Sequence, residues 1–278
     1  MKITLIPNKK RSESEALAQA VAHRLTAAGA QVGIPDYAAP LPDAAGLCEA
    51  LADTDIAIAI GGDGTIVHVA KAAATVGCPV LGINAGHVGF LAGLEADELD
   101  SLPALLDGAY TVDERALLAV TVHTDGGDIT RYAMNEAVIS RGGLSRLVDV
   151  MVTADGGEVL SCRGDGVIIA TPTGSTAYSL SAGGPVVDPS VDCLLLTPVC
   201  PHSLESRPRV WPGGVVLTAT AVAADGEPAY VTVDGEESIP LAPHDTVSIR
   251  RAERSVRLLQ LRRDSFYQRL RRKLSDRR

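Results

Sequence analysis

Residues Asp55–Lys71 read DIAIAIGGDGTIVHVAK. Ile56, Ile58 and Ile60 alternate with alanines as one short apolar strand, Gly61, Gly62 and Gly64 interrupt it around Asp63, and Thr65 to Val76 resumes with helical spacing. Strand, glycine turn and helix in this order are the repeating unit of a parallel sheet with helical crossovers. The neighbouring segments continue the pattern. KITLIPN reads as a first strand, Glu13 to Ala28 as an amphipathic helix with Leu17, Val21 and Leu25 spaced by four, and Pro79 to Ile83 as a further strand that runs into NAGHVGF. An α/β domain with a parallel sheet is expected over residues 1–102.

Beyond Leu102 the texture changes to short β-branched runs separated by Asp-Gly pairs, in LLAVTVHTDGGDITRYAMNEAVIS, VDVMVTADGGEVLS and VVLTATAVAADGEPAYVTVDGEE. Asp-Gly between such runs is a strong short-range hairpin signal. A mostly antiparallel, β-sandwich-like second domain follows over 103–250, with GDGVIIATPTGSTAYSLSAGGPVV as a strand entering a small-residue turn and a short helix. Residues 251–278 supply a last strand near Val256 to Leu261 and a basic helix, expected to pack back on the first domain. Phe266, Leu270 and Leu274 recur every four residues and predict an apolar stripe on that helix.

A chain of 278 residues with 46% hydrophobic content can bury about 75% of its surface. No apolar run reaches the ~20 residues of a bilayer span, and MKITLIPNKK lacks the cleavage pattern of a secretory signal, so a cytoplasmic protein without membrane partners is expected. Cys48, Cys78, Cys162, Cys193 and Cys200 form no C-x-x-C pair; they suggest neither disulfides nor a zinc site and read as buried small hydrophobes. Aromatic residues are 3% of the chain and the net charge is −9, which argues against nucleic acid as a partner. Residues 250–278 hold twelve Lys and Arg against three acids, a net +9 that leaves −18 on residues 1–249. The tail's arginines are expected to partner that acidic body rather than RNA or lipid.

In an open α/β sheet, ligands sit beyond the carboxyl ends of the strands, where the 61–64 turn falls. GGDGTIVH has neither the lysine and spacing of a P-loop nor the third glycine of G-x-G-x-x-G. Gly61, Gly62 and Gly64 can nevertheless turn backbone N–H groups toward phosphate oxygens at a helix N-terminus. A carboxylate there repels a phosphate unless it binds a divalent metal or accepts a proton from the attacking group, which makes Asp63 a candidate general base. The alternative on the residues alone is a turn whose Asp caps the helix at Thr65. Asn135 and Glu136, read as part of a strand, could hold vicinal hydroxyls of a ribose or be a solvated strand edge. Arg163 offers a fork for a phosphate or for a neighbouring subunit's carboxylate, and Asp165 an acceptor for an adenine amino group. Thr173, Ser175, Thr176, Tyr178, Ser179 and Ser181 set hydroxyls among small residues. Ser175 fails the G-x-S-x-G test for a hydrolase nucleophile.

GGDGT is the hallmark of a superfamily containing NAD kinases and lipid kinases. The blocks PVLGINAGHVGFLAG, MNEAVISRG, RGDGVIIATPTGSTAYSLSAGGPVVDP and LTPVCPHSLESRP resemble the NAD kinases in order, from about Ile56 to the end. The resemblance implies transfer of the terminal phosphoryl group of ATP to the 2′-hydroxyl of the adenosine ribose of NAD, with a divalent metal, Mg²⁺, and a homodimer or homotetramer. It implies that Asp63 acts as base and that Gly61, Gly62, Gly64 and Thr65 lie at the phosphates with His68. It also implies that Phe90 packs on an adenine, that Asn84 and Arg146 contribute to nucleotide binding, that Asn135 and Glu136 grip the NAD ribose, and that Thr176, Ala177, Tyr178, Ser179, Leu180 and Ser181 make the most direct contacts. The chain departs from the family at Ala85 and His87, and in Asp234-Gly235-Glu236, where the family's usual Asp-Gly-Gln has an amide in place of the Glu236 carboxylate near the nicotinamide end. A lipid kinase would want an apolar cleft instead of this hydroxyl-rich segment, and a non-catalytic NAD sensor would not need Asp63.

Overall fold

The structure, a computed structural model of the chain, describes residues 1–86, 89–142, 147–203, 205–223, 228–236, 238–261 and 264–275. The chain forms two compact units, Met1–Arg115 with Arg254–Arg278, and Ala116–Glu253. The first is α/β. Strands β1 (Lys2–Pro7), β2 (Gln31–Gly33), β3 (Ile56–Gly61), β4 (Val80–Asn84) and β5 (Leu94–Glu95) alternate with helices α1 (Ser12–Ala27), α2 (Ala44–Leu51) and α3 (Asp63–Val76). All pairings among β1 to β5 are parallel, with β1 and β3 central. β3 and β4 are buried along their whole length, as strands covered on both faces must be. Their Ile58, Ile60, Leu81 and Ile83 share a core with Ala18, Val21 and Leu25 of α1.

The turn at the end of β3 is tighter than the sequence suggests. α3 begins at Asp63 and not at Thr65; Gly62 is its extended N-cap, without a side-chain cap. Asp63 is therefore the first residue of the helix and does not cap it. The helix stops at Gly77, whose φ of 70° is the left-handed conformation that favours glycine.

The second unit is an antiparallel sandwich made of β6 (Thr111–Thr124), β7 (Gly127–Ala133), β8 (Glu136–Arg141), β9 (Val148–Ala154), β10 (Gly157–Gly164), β11 (Gly166–Ala170), the short helix α4 (Tyr178–Ser181), β12 (Cys193–Val199), β13 (Arg209–Pro212), β14 (Leu217–Ala223), β15 (Ala229–Val233), β16 (Ile239–Leu241) and the start of β17 (Thr246–Gln260). One sheet has the order β13-β12-β11-β8-β15-β16, and β10-β9-β14-β17 lie side by side in the other. Alternate residues such as Val150, Val152, Ala219 and Ile249 from the second meet Ile139, Ile169, Leu196 and Val231 from the first in one core. Asp155–Gly156 and Asp234–Gly235 turn hairpins with positive φ at both residues, the primed turn that Asp-Gly predicts. The Asp-Gly pair at 225–226 lies outside the described residues.

β17 is one strand of 15 residues, so the expected strand near Val256 to Leu261 is its end. It pairs with β14 in the second unit, and in the first Leu258 and Leu259 lie parallel to β4. Helix α5 (Phe266–Ser275) follows. Phe266 and Leu270 of the expected apolar stripe are half-buried while Tyr267, Gln268 and Arg271 are exposed, and Arg269, at 6% exposure, is buried beside them. The Leu274 side chain lies outside what is described. The Arg269 guanidinium donates to Gln260 Oε1 at 3.4 Å and to the Asp264 carbonyl at 3.2 Å, and Arg272 donates to Asp264 at 2.9 Å, so polar groups at the end of β17 fasten this helix. Cys200 corrects the expectation that the cysteines are buried. It is exposed, with a φ of 46°, while Cys78, Cys162 and Cys193 are buried. No helix among the described residues is long and apolar enough to cross a membrane.

Candidate active site

In the first unit the loops after β1, β3 and β4 meet at the carboxyl edge of the sheet. Asn8 donates to Thr65 Oγ1 at 2.9 Å and joins the first loop to the glycine turn. Asp63 projects across to the loop after β4. Phe90 N–H lies 3.1 and 2.9 Å from its two oxygens, Leu91 N–H donates to Oδ1 at 3.2 Å, and Lys273 Nζ of α5 stands 3.2 Å from Oδ2. Only glycine fits beside this carboxylate: a methyl group at Gly89 would lie 2.2 Å from Asp63 Oδ1. The Lys273 ammonium also lies 4.3 Å from the centroid of the Phe90 ring, a cation–π distance. Gly62 and Gly64 have open space where a side chain would project, which leaves the first turn of α3 accessible to an anion. Asn84 is buried and donates to Glu95 at 2.7 Å. His68 Nε2 meets the Pro42 carbonyl at 2.7 Å. His87 lies outside the described residues.

In the second unit Asn135 precedes β8 and Glu136 opens it. Their backbone is held by Asp234, whose carboxylate accepts from the N–H groups of Met134 at 2.8 Å, Asn135 at 2.8 Å and Glu136 at 3.0 Å. A methyl group at Gly174 would lie 2.2 Å from the Asn135 carbonyl oxygen, so the 171–176 turn packs directly on the same residue. Glu136 is 7% exposed, and its Oε2 has no hydrogen-bond partner. Burial, followed by the nearby Asp234 charge, pushes its carboxyl up to about 7.

The hydroxyls of 173–181 divide into two groups. Ser175 is fully buried and exchanges hydrogen bonds with the backbone of Val187 at 3.1 Å, Ser179 pairs with Thr197 at 2.9 Å inside the core, and Thr173 is buried. Thr176, Ala177 and Leu180 are half-buried, whereas Tyr178 and Ser181 are exposed. Asp165 accepts from Arg141 Nε at 2.8 Å; Arg163 is exposed opposite Asp149 at 3.9 Å. Glu236 is exposed on the β15–β16 turn, and Arg146 lies outside the described residues. Sequence reasoning missed Gly89, Asp234, Arg141 and Lys273. Gly89 and Arg141 lie inside the blocks PVLGINAGHVGFLAG and MNEAVISRG, beside more conspicuous neighbours. No group of three His, Cys, Asp or Glu side chains gathers into a metal cluster among the described residues.

Glu136 makes a prediction about stability. Its folded value of about 7 exceeds the ordinary 4.5, so between those pH values the folded state binds the proton that the unfolded state has released. This contribution is lost as pH rises. It amounts to on the order of 3 kcal/mol. Urea denaturation of Glu136→Gln and the parent should show the variant gaining on the parent between pH 5 and 8; parallel stability profiles would contradict the assignment.

Models of the ATP-NAD kinase N-terminal and C-terminal domains match residues 3–110 and 134–261. An NAD kinase of Symbiobacterium thermophilum is 43% identical over an alignment of 286 residues that covers 99% of each chain. An NAD kinase of Geotalea daltonii is 40% identical over 222 residues, 79% of this chain and 78% of that one. Among solved structures, the yeast NADH kinase complexed with NADH has a TM-score of 0.80 at 22% identity, covering 99% of this chain and 87% of its own. The NAD kinase of Archaeoglobus fulgidus in complex with ATP has a TM-score of 0.76 at 24% identity, covering 99% of both. These two likenesses speak for the fold, and the sequence matches speak for the activity. With both domains recognised and a relative matched over 99% of the chain, the protein belongs to the NAD kinases, ATP-dependent phosphotransferases that act on NAD.

Proposed function

We propose that Asp63 is the group through which this chain phosphorylates NAD. Its carboxylate accepts the proton of the adenosine 2′-hydroxyl as that oxygen attacks the terminal phosphorus of ATP. A new O–P bond forms, the bond between the terminal phosphorus and its bridging oxygen breaks, and ADP departs with the electron pair. The observation that carries this reading is the carboxylate's position at the first residue of α3, fixed by the Phe90 and Leu91 amides beside the open glycines. A base held by backbone needs little reorganisation to act.

Gly61, Gly62, Gly64 and Thr65, at the positive end of α3, cradle the phosphates in this reading. Mg²⁺ bound to the nucleotide would neutralise phosphate charge, and ions of this kind are commonly held by one or two carboxylates together with substrate phosphates. Asn135 and Glu136 take the ribose hydroxyls of NAD. The unpartnered Glu136 Oε2 supports this, since a bound hydroxyl gives a buried acceptor its donor. Thr176, Ala177, Tyr178, Leu180 and Ser181 line the NAD site, and Thr173, Ser175 and Ser179 shape the turn behind them. Arg163, exposed on β10, would meet a neighbouring subunit's carboxylate in a homodimer or homotetramer. A cytoplasmic enzyme fits a reaction that consumes NAD and ATP.

Asp63→Asn should lower kcat by about 10²–10⁴-fold, the range of general acid–base effects, with KM for NAD within about threefold of the parent. Gly89→Ala should mimic that loss, because the added methyl displaces the carboxylate from its amides. Near-normal turnover in Asp63→Asn, measured with saturating ATP and NAD, would remove Asp63 as the base.

A further inference from the structure

The glycine turn holds an aspartate where a P-loop holds a lysine, and the fold delivers a lysine to the same place from 210 positions further along the chain. Lys273 Nζ stands 3.2 Å from Asp63 Oδ2 and 4.3 Å from the Phe90 ring centroid, with its side chain 22% exposed. Two other lysines of this unit are engaged elsewhere: Lys9 with the Tyr37 carbonyl and ring, and Lys2 with Asp53 at 3.5 Å. Helix α5 is set to present Lys273, because Arg269, one turn earlier, is buried against Gln260 and Arg272 is tied to Asp264.

A carboxylate offers about four acceptor sites. At Asp63 the Phe90 amide reaches both oxygens, the Leu91 amide takes a further place on Oδ1, and Lys273 takes one on Oδ2. A substrate hydroxyl can reach Oδ2 only where the ammonium gives way, since the amides are backbone and fixed. An ammonium on a flexible stem with rotatable donors can turn to a phosphate that arrives beside it.

We propose that Lys273 is a catalytic residue of the phosphoryl transfer. With nucleotide bound, its ammonium leaves Asp63 for a non-bridging oxygen of the terminal phosphoryl group, where it neutralises charge in the transition state. Lys273 keeps its protons throughout; the hydroxyl proton goes to Asp63 Oδ2, the site that the ammonium vacates. The inference rests on the reading that puts the ATP phosphates at the glycine turn with Asp63 as base.

The test compares Lys273→Gln, which keeps length without charge, with Lys273→Arg, which keeps charge. Calorimetric binding of MgATP and MgADP in the absence of NAD separates contact with the terminal phosphoryl from a structural tie. Lys273→Gln should weaken MgATP about tenfold while leaving MgADP within about twofold. It should also lower kcat by about 10²–10³-fold, the typical loss for one transition-state donor, with Lys273→Arg recovering at least tenfold. Equal losses for both nucleotides, a kcat at or above that of the parent, or equal activity in the Gln and Arg variants would overturn the proposal. A misfolded Gln variant would lose MgADP binding too, and the ATP-to-ADP affinity ratio of the Arg variant then decides: retention of the parent ratio supports the proposal, and its loss overturns it. Normal turnover in Asp63→Asn beside an MgATP-selective loss in Lys273→Gln would discard the base and leave the lysine's phosphate contact standing.

Discussion

A carboxylate bonded to two successive backbone amides orders the carboxyl edge of the sheet in the first unit. Asp63 reaches from the start of α3 to the N–H groups of Phe90 and Leu91. Hydrogen bonds to a charged group are worth about 1.5–3 kcal/mol each, enough to fix the loop after β4 against the loop after β3. Gly89 follows from that bond, because a side chain there would collide with the carboxylate. So does the placing of Phe90, whose ring lies beneath the Lys273 ammonium. One acidic group thus orders a loop, a ring and a cation.

The second unit uses the same device for a different end. Asp234 accepts from three consecutive amides, Met134 to Glu136, and stands on a turn with φ of 49°. Its negative charge fixes the backbone of Asn135 and Glu136 and at the same time raises the carboxyl of Glu136. Three hydrogen bonds hold the turn, so a ligand that donates a hydroxyl hydrogen finds an unmatched oxygen already in place. Preorganisation of this kind limits the entropy lost on binding.

Much of this is legible in the residues. Alternating apolar strands, helical spacing and Asp-Gly turns give the α/β unit and the sandwich, because those signals are local. Asp63 stands out because a carboxylate in a glycine turn has few chemical uses. What stays hidden depends on residues far apart in the chain. Gly89 is required by a carboxylate 26 positions earlier, Asp234 acts on a turn some hundred positions before it, and Lys273 belongs to a tail whose spacing suggests only an apolar stripe. The hydroxyls of 173–181 show another limit. A 3₁₀ turn gives way to α4 through Ala177, with φ −97° and ψ −129°, so no single period tells which hydroxyls face inward.

In the proposed reaction Asp63 receives the proton of the adenosine 2′-hydroxyl. A crystal structure of the enzyme with NAD and a non-hydrolysable ATP analogue measures it most directly. That hydroxyl is expected at a hydrogen-bonding distance of about 2.6–3.2 Å from an Asp63 oxygen, with the Phe90 and Leu91 amides still on the carboxylate. A hydroxyl turned away from Asp63 in every subunit, out of reach even through one water, would contradict it.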